Sequence, residues 1–202
     1  MIVAGLFGGL LFLALVLGDW FHFTSLTGQA SGYGCGIARA VDRLPSVPLS
    51  AALSRFGGSG VLQLPNGIAR VFADERRILV RPQYRLLSRR FRTAWPMKGT
   101  LELAPDGEDT RVTCIKRIPW SSAILTLLWF LLVGIGTITF VIAYLVDGGL
   151  SSLGGLLMGM GILALGLLVL TFGLVTVVFA YRLENDRFTQ VYRELLTLLT
   201  AT

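Results

Sequence analysis

Residues 118–149 read IPWSSAILTLLWFLLVGIGTITFVIAYLVDGG, and from Ile118 to Val146 this stretch contains no Asp, Glu, Lys, Arg or His. An α-helix rises about 1.5 Å per residue and the hydrocarbon of a bilayer is about 30 Å thick, so roughly 20 apolar residues make one crossing. The stretch therefore predicts a transmembrane helix over 121–146. Two flanking blocks have the same character, Met1 to Gly18 before it and Gly148 to Tyr181 after it. The first predicts transmembrane helix 1 over 1–18. The other, too long for one upright crossing, predicts a turn and helix entry near Gly148 to Gly154 and transmembrane helix 3 over 150–181.

The start of the chain resembles the apolar core of a secretory leader, but it lacks a basic flank ahead of the run and an A-x-A-like site behind it. It ends instead in Gly18-Asp19-Trp20-Phe21-His22-Phe23, the composition of a membrane interface. An anchored, uncleaved helix is expected, with Trp20 and Trp120 as interface anchors on one side.

Charge sets the expected orientation. Fifteen of the eighteen Lys and Arg residues lie between Asp19 and Trp120, against eight acids, and the hairpin between the second and third spans carries only Asp147. Lys116 and Arg117 precede span two, and Arg182 and Arg187 follow span three. The positive-inside rule then puts the N-terminus and the Asp147 hairpin outside, and the 19–120 domain and the C-terminus in the cytoplasm of a bacterial inner or similar membrane. Cys35 and Cys114 both fall in that domain, where a cytoplasmic setting keeps them reduced. With the opposite orientation they are a candidate disulfide.

Within 19–120 the punctuation is that of antiparallel strands. Val61 to Leu64, Ile68 to Ala73, Ile78 to Arg81, Arg90 to Trp95, Lys98 to Leu103 and Arg111 to Ile118 are separated by turns at Pro65-Asn66-Gly67, Asp74-Glu75 and Pro105-Asp106-Gly107. Asn-Gly and Asp-Gly tolerate the positive φ of tight hairpins, and β-branched and aromatic residues fill the runs. A β-meander of five or six strands is expected. Ahead of it, Gly32 to Val41 reads as strand, Pro45 to Pro48 as turn, Leu49 to Phe56 as a short helix and Gly57 to Gly60 as a linker. After span three, Phe188, Val191, Tyr192, Leu195 and Leu199 recur at helical spacing, which predicts an amphipathic helix over 183–200, lying along the membrane or against the β-domain. The expected fold class is thus an α-helical integral membrane protein with three spans, an antiparallel β-rich domain inserted between the first and second, and a short C-terminal amphipathic helix.

For chemistry the sequence offers little. A single histidine, two separated cysteines and no C-x-x-C predict no metal site, no haem ligation and no other cofactor. Gly32-x-Gly34-x-Gly36 fits neither a dinucleotide fingerprint nor a phosphate-binding loop. Asp106 and Glu108 belong to a turn rather than to a carboxylate pair. The spans lack the ionisable residues that proton relays and ion-coupled transporters place in the bilayer. No catalytic residue and no small-molecule substrate is predicted.

Two features point to partners. Arg76, Arg77, Arg81, Arg85, Arg89, Arg90 and Arg92 crowd seventeen residues without an acid among them. Such a run suits anionic lipid headgroups or the acidic surface of another protein, with nucleic acid a distant third. It also fits an ordinary solvated face. Gly5 and Gly9, Gly155 and Gly159, then Gly161, Gly166 and Gly173 sit where small residues let helix backbones approach, within the chain or with other membrane subunits. The leading expectation is a non-catalytic accessory or assembly subunit of a larger membrane complex, docking through glycine-faced helices and an Arg-rich cytoplasmic β-domain. The alternatives are a lipid-binding module, a small barrel or sandwich with Arg89, Arg90 and Arg92 on the headgroup, and a packing subunit of an enzyme or transporter active only as an assembly.

Overall fold

The computed structural model describes residues 2–83 and 93–200. In chain order these form α1 (Ile2–Thr24), α2 (Gly28–Ser31), β1 (Cys35–Leu44), α3 (Leu49–Ser54), β2 (Val61–Gln63), β3 (Gly67–Phe72), β4 (Arg77–Pro82), β5 (Lys98–Asp106), β6 (Asp109–Ile118), α4 (Trp120–Val146) and α5 (Leu153–Thr200). Helices α1, α4 and α5 are each long and apolar enough to cross a membrane. The chain divides into two compact units, one of residues 1–122 with 182–202 and the other of residues 123–181.

The first unit is built on a six-stranded antiparallel sheet in the order β1-β6-β5-β4-β3-β2. Strands β2 to β6 are the expected meander. Gly107 takes the expected positive φ, +71°, between β5 and β6, and Arg76, just after Asp74-Glu75, takes φ +52° in the β3–β4 turn, whereas the turn at Asn66-Gly67 is made without a positive φ. The strand expected over 90–95 is not found at its described end, since Thr93 to Trp95 are irregular, and its other residues lie outside the described ones. Strand β1 has the length of the Gly32 to Val41 reading but lies three residues later, and it pairs with β6, the last strand in sequence. The sheet is open, with β1 and β2 at its edges, and is neither barrel nor sandwich.

One face of the sheet is covered by the C-terminal part of α5. Phe188, Val191, Tyr192, Leu195 and Leu199, the five residues of the amphipathic pattern, are all buried against Ala69, Ile78, Val80, Leu101, Leu103, Val112 and Cys114. Each large apolar side chain so buried contributes about 1.5–3 kcal/mol. Two glycines shape the contact. A Cβ on Gly99 would lie 2.3 Å from the Phe188 ring, and one on Gly67 would lie 2.3 Å from Val191 Cγ1 and 2.7 Å from the Arg81 carbonyl oxygen.

The expected break between span three and a separate helix at 183–200 is absent, because α5 runs unbroken from Leu153 to Thr200. Nothing in the sequence ends it. From Leu174 to Thr200 there is neither Gly nor Pro, and the change from uniformly apolar to amphipathic alters what the helix packs against, not its backbone.

The cysteine pair also needs correction. Cys35 lies opposite Ile118 and Cys114 opposite Ala40, four positions apart along β6, or about 13 Å at 3.3 Å per residue. That is too far for a disulfide, so the pair cannot report on orientation.

The second unit is a helical hairpin of α4 and the N-terminal part of α5, turned at Gly148 with φ +73°. Gly166 faces Thr137 and Gly173 faces the Trp129 ring, with ideal Cβ positions 2.4 and 2.2 Å from those side chains. Near the turn Gly159 faces Tyr144, whose hydroxyl donates to the Gly155 carbonyl at 3.0 Å.

Candidate functional site

Gly99 and Gly67 point toward α5, so strand alternation and the cross-strand register assign every other residue of the sheet to a face. The face away from α5 carries Arg39 and Arg43 from β1, Arg70 from β3, Arg77 and Arg81 from β4, Lys98 from β5, and Arg111 and Arg117 from β6. Glu102, Asp106 and Asp109 are the acids among the strand positions of that face. Eight cations drawn from five strands thus share one surface.

The half of this face nearest the ends of α1 and β6 is a junction rather than a free patch. The connector from α1 to β1, with α2 inside it, lies over the strands, and side chains of the sheet donate to its carbonyl oxygens. Lys98 Nζ donates to the Phe23 oxygen at 2.9 Å and to the Ala30 oxygen at 2.6 Å. Thr100 donates to the Ser31 oxygen, Arg70 Nη1 to the Leu26 oxygen at 2.6 Å and Arg117 Nη1 to the Gly34 oxygen at 3.0 Å. Main-chain carbonyls left over at a helix end or in a tight connector must find donors when buried, and these four side chains supply them. Gly34 is needed at its place: it has φ +109°, and a Cβ there would lie 2.7 Å from both the Ile118 oxygen and the Phe23 ring.

Lys98 is fully buried, with its amine 4.2 Å from the centre of the Phe23 ring and, among the described residues, no carboxylate within ion-pair distance. Burial, then the neighbouring Arg117 and Arg81, push its pKa down to about 7. A lysine at the C-terminal end of α1 is favoured by the helix dipole, which offsets part of that cost.

Beside it, Asp19 joins α1 to the start of α4. Its carboxylate accepts from the Ser121 backbone N–H at 2.9 Å, from the Ser121 hydroxyl, and from the Tyr33 hydroxyl. An acid at the first turn of a helix satisfies an orphan N–H and matches the dipole. The Tyr33 phenol, bonded to that carboxylate, is pushed up to about 12, and its ring meets His22 edge to face at 4.5 Å.

The other half of the face is open and largely self-neutralised. Arg43 and Arg111 share Asp106 at 3.5 and 3.7 Å, while Arg77 reaches Glu75 at 3.1 Å and Glu102 at 3.9 Å. Exposed pairs of this kind contribute little to stability. Arg39 and the turn residue Arg76 are also exposed.

Three members of the arginine run read from the sequence are described, and two of them, Arg77 and Arg81, share one face of β4. Arg76 stands in a turn, Arg77 joins the open half of the face and Arg81 the junction; Arg85, Arg89, Arg90 and Arg92 lie outside the described residues. Of the glycines, Gly159, Gly166 and Gly173 are taken up in the hairpin, and Gly155 abuts the Gly149 carbonyl. A Cβ on Gly5 or Gly9 would meet no described atom of its own unit within 4 Å. Trp20 is half-buried at the end of α1, and Trp120, the first residue of α4, is exposed. Among the described residues no three His, Cys, Asp or Glu side chains are grouped to hold a metal.

The junction itself was not legible in the sequence. Lys98 and Thr100 do alternate with Leu101 and Leu103, which marks them as one face, but the groups they bond are backbone carbonyls about 70 positions away, and carbonyls have no sequence signature.

Fold and site together define a chain with three helices of membrane-spanning length and apolarity and one antiparallel sheet domain fastened to the first of them. No protein-family model matches the chain, and no curated protein or solved structure shows significant similarity to it.

Proposed function

We propose that this chain is a non-catalytic accessory or assembly subunit of a larger membrane complex. The observation that carries the reading is the clamp of Lys98, Thr100, Arg70 and Arg117 on the α1–β1 connector. It fastens a sheet domain directly to the end of an apolar helix, so that the helix fixes the position of the domain, as a docking subunit requires.

In this reading α1, α4 and the first part of α5 span the membrane, with the N-terminus and the Asp147 hairpin outside and the sheet domain and C-terminus in the cytoplasm. Gly5 and Gly9 of α1 accept a helix of a neighbouring subunit, and Arg39, Arg43, Arg76 and Arg111 present cations to an acidic protein surface. Gentle extraction from native membranes followed by native mass spectrometry tests it. A defined co-purifying membrane subunit, lost on replacing Gly5 and Gly9 by leucine, is expected, and a lone monomer under every mild detergent rules the reading out. A protease tag placed between Gly57 and Gly60 is expected to be cleaved only from the cytoplasmic side.

A further inference from the structure

Lys98 differs from an ordinary buried cation in what surrounds it. Its amine donates to two acceptors, the Phe23 and Ala30 oxygens, which engage two N–H bonds whether the amine is neutral or charged. Among the described residues the third donor of an ammonium faces the Phe23 ring, a weaker partner than the water that burial removes. The charged groups around it are mostly of its own sign: Arg117 from β6, Arg81 from β4, and Arg70 from β3, which is bonded to the Leu26 oxygen. From α1, Asp19 acts in the opposite sense, but its carboxylate is engaged by Ser121 and Tyr33. His22, also on α1, lies against Tyr33, and α2 contributes no ionisable side chain.

We propose that Lys98 is a proton-operated clamp: with its amine neutral, the connector is held on the sheet, and protonation loosens the connector and so frees the end of α1. This goes beyond the docking role and does not depend on it.

The direction follows from linkage. The closed clamp holds the amine near pKa 7, whereas an opened connector exposes it to water at its ordinary 10.5. Between those values the open state binds more protons than the closed one, so closure strengthens as pH rises from 7 toward 10.5 and is weakest, and flat, well below 7. With those two values the opening constant falls about tenfold from pH 6 to pH 8. Acidification on the sheet's side of the chain therefore releases the sheet from α1.

The test uses the full chain in lipid nanodiscs. Hydrogen exchange of the connector amides, residues 24–34, is followed from pH 6 to pH 8 after correction for intrinsic rates. The wild type is expected to show the tenfold fall, Lys98→Met to show none, and His22→Gln to retain it. A slope that survives in Lys98→Met, or that vanishes in His22→Gln, overturns the proposal. A direct measurement guards against a variant that fails to fold. The chain has two lysines, Lys98 and Lys116, so carbon-13 labelling of lysine yields two side-chain titrations in the wild type. One is expected near pH 7, and two ordinary lysine titrations overturn the proposal.

Discussion

Asp19 caps the helix that begins a hundred residues after it: its carboxylate takes both the backbone N–H and the hydroxyl of Ser121. The last turns of α1 and the first turn of α4 are thereby joined by one side chain. Asp19→Ala is expected to cost about 1–2 kcal/mol of stability, the size of a lost helix cap, whereas Asp19→Asn, which keeps an acceptor, costs less. Thermal unfolding of the purified chain measures the difference, and equal losses for the two variants would argue against the capping role.

Phe188 occupies the place a Cβ on Gly99 would take, 2.3 Å from the ring. Gly99→Ala drives a methyl into a buried ring and is expected to destabilise by about 1–3 kcal/mol. Phe188→Ala, which empties the same place, is expected to cost about 3–5 kcal/mol. The combination Gly99→Ala with Phe188→Leu should recover part of the first loss, so denaturation curves for the three variants form a check on the packing. Additive losses in the double variant would contradict it.

The hairpin glycines should separate into two groups. Gly166→Leu places its side chain against Thr137 and is expected to pry α4 from α5, while Gly161→Leu has open space and should be tolerated. The melting temperature in detergent, compared between the two, decides. Near-identical values would mean that the two helices do not pack through Gly166.

The thiols should behave independently of each other. Cys114, fully buried and pushed up to about 12 chiefly by that burial, is expected to resist iodoacetamide until the chain unfolds, while the partly exposed Cys35 reacts first. An oxidant should produce no intramolecular disulfide. Rapid modification of both thiols in the folded chain, or a cross-link between them, would show the β1–β6 register to be wrong.

Much of this architecture is written in local patterns. Uncharged runs of helix length mark α1, α4 and the first part of α5, Asn-Gly and Asp-Gly mark the hairpins, and the spacing of Phe188, Val191, Tyr192, Leu195 and Leu199 marks a buried helical face. Each of these depends on neighbours within a few residues. What local patterns do not carry is long-range. Of the described members of the run from Arg76 to Arg92, Arg77 and Arg81 share one face of β4 and Arg76 sits in the turn before it. The pairing of β1 with β6 links segments some eighty residues apart, and no composition signals it.

What the sequence alone determined is which segments are helix and strand and which of their faces are apolar, because periodicity and the lack of charge act over short range. Tertiary structure decided the rest. It alone paired β1 with β6, carried α5 without a break from an apolar stretch onto the sheet, and brought Lys98 beneath the end of α1. The physical reason is that the partners of Lys98 are backbone oxygens, which every residue possesses, so only their placement in space distinguishes Phe23 and Ala30 from the others.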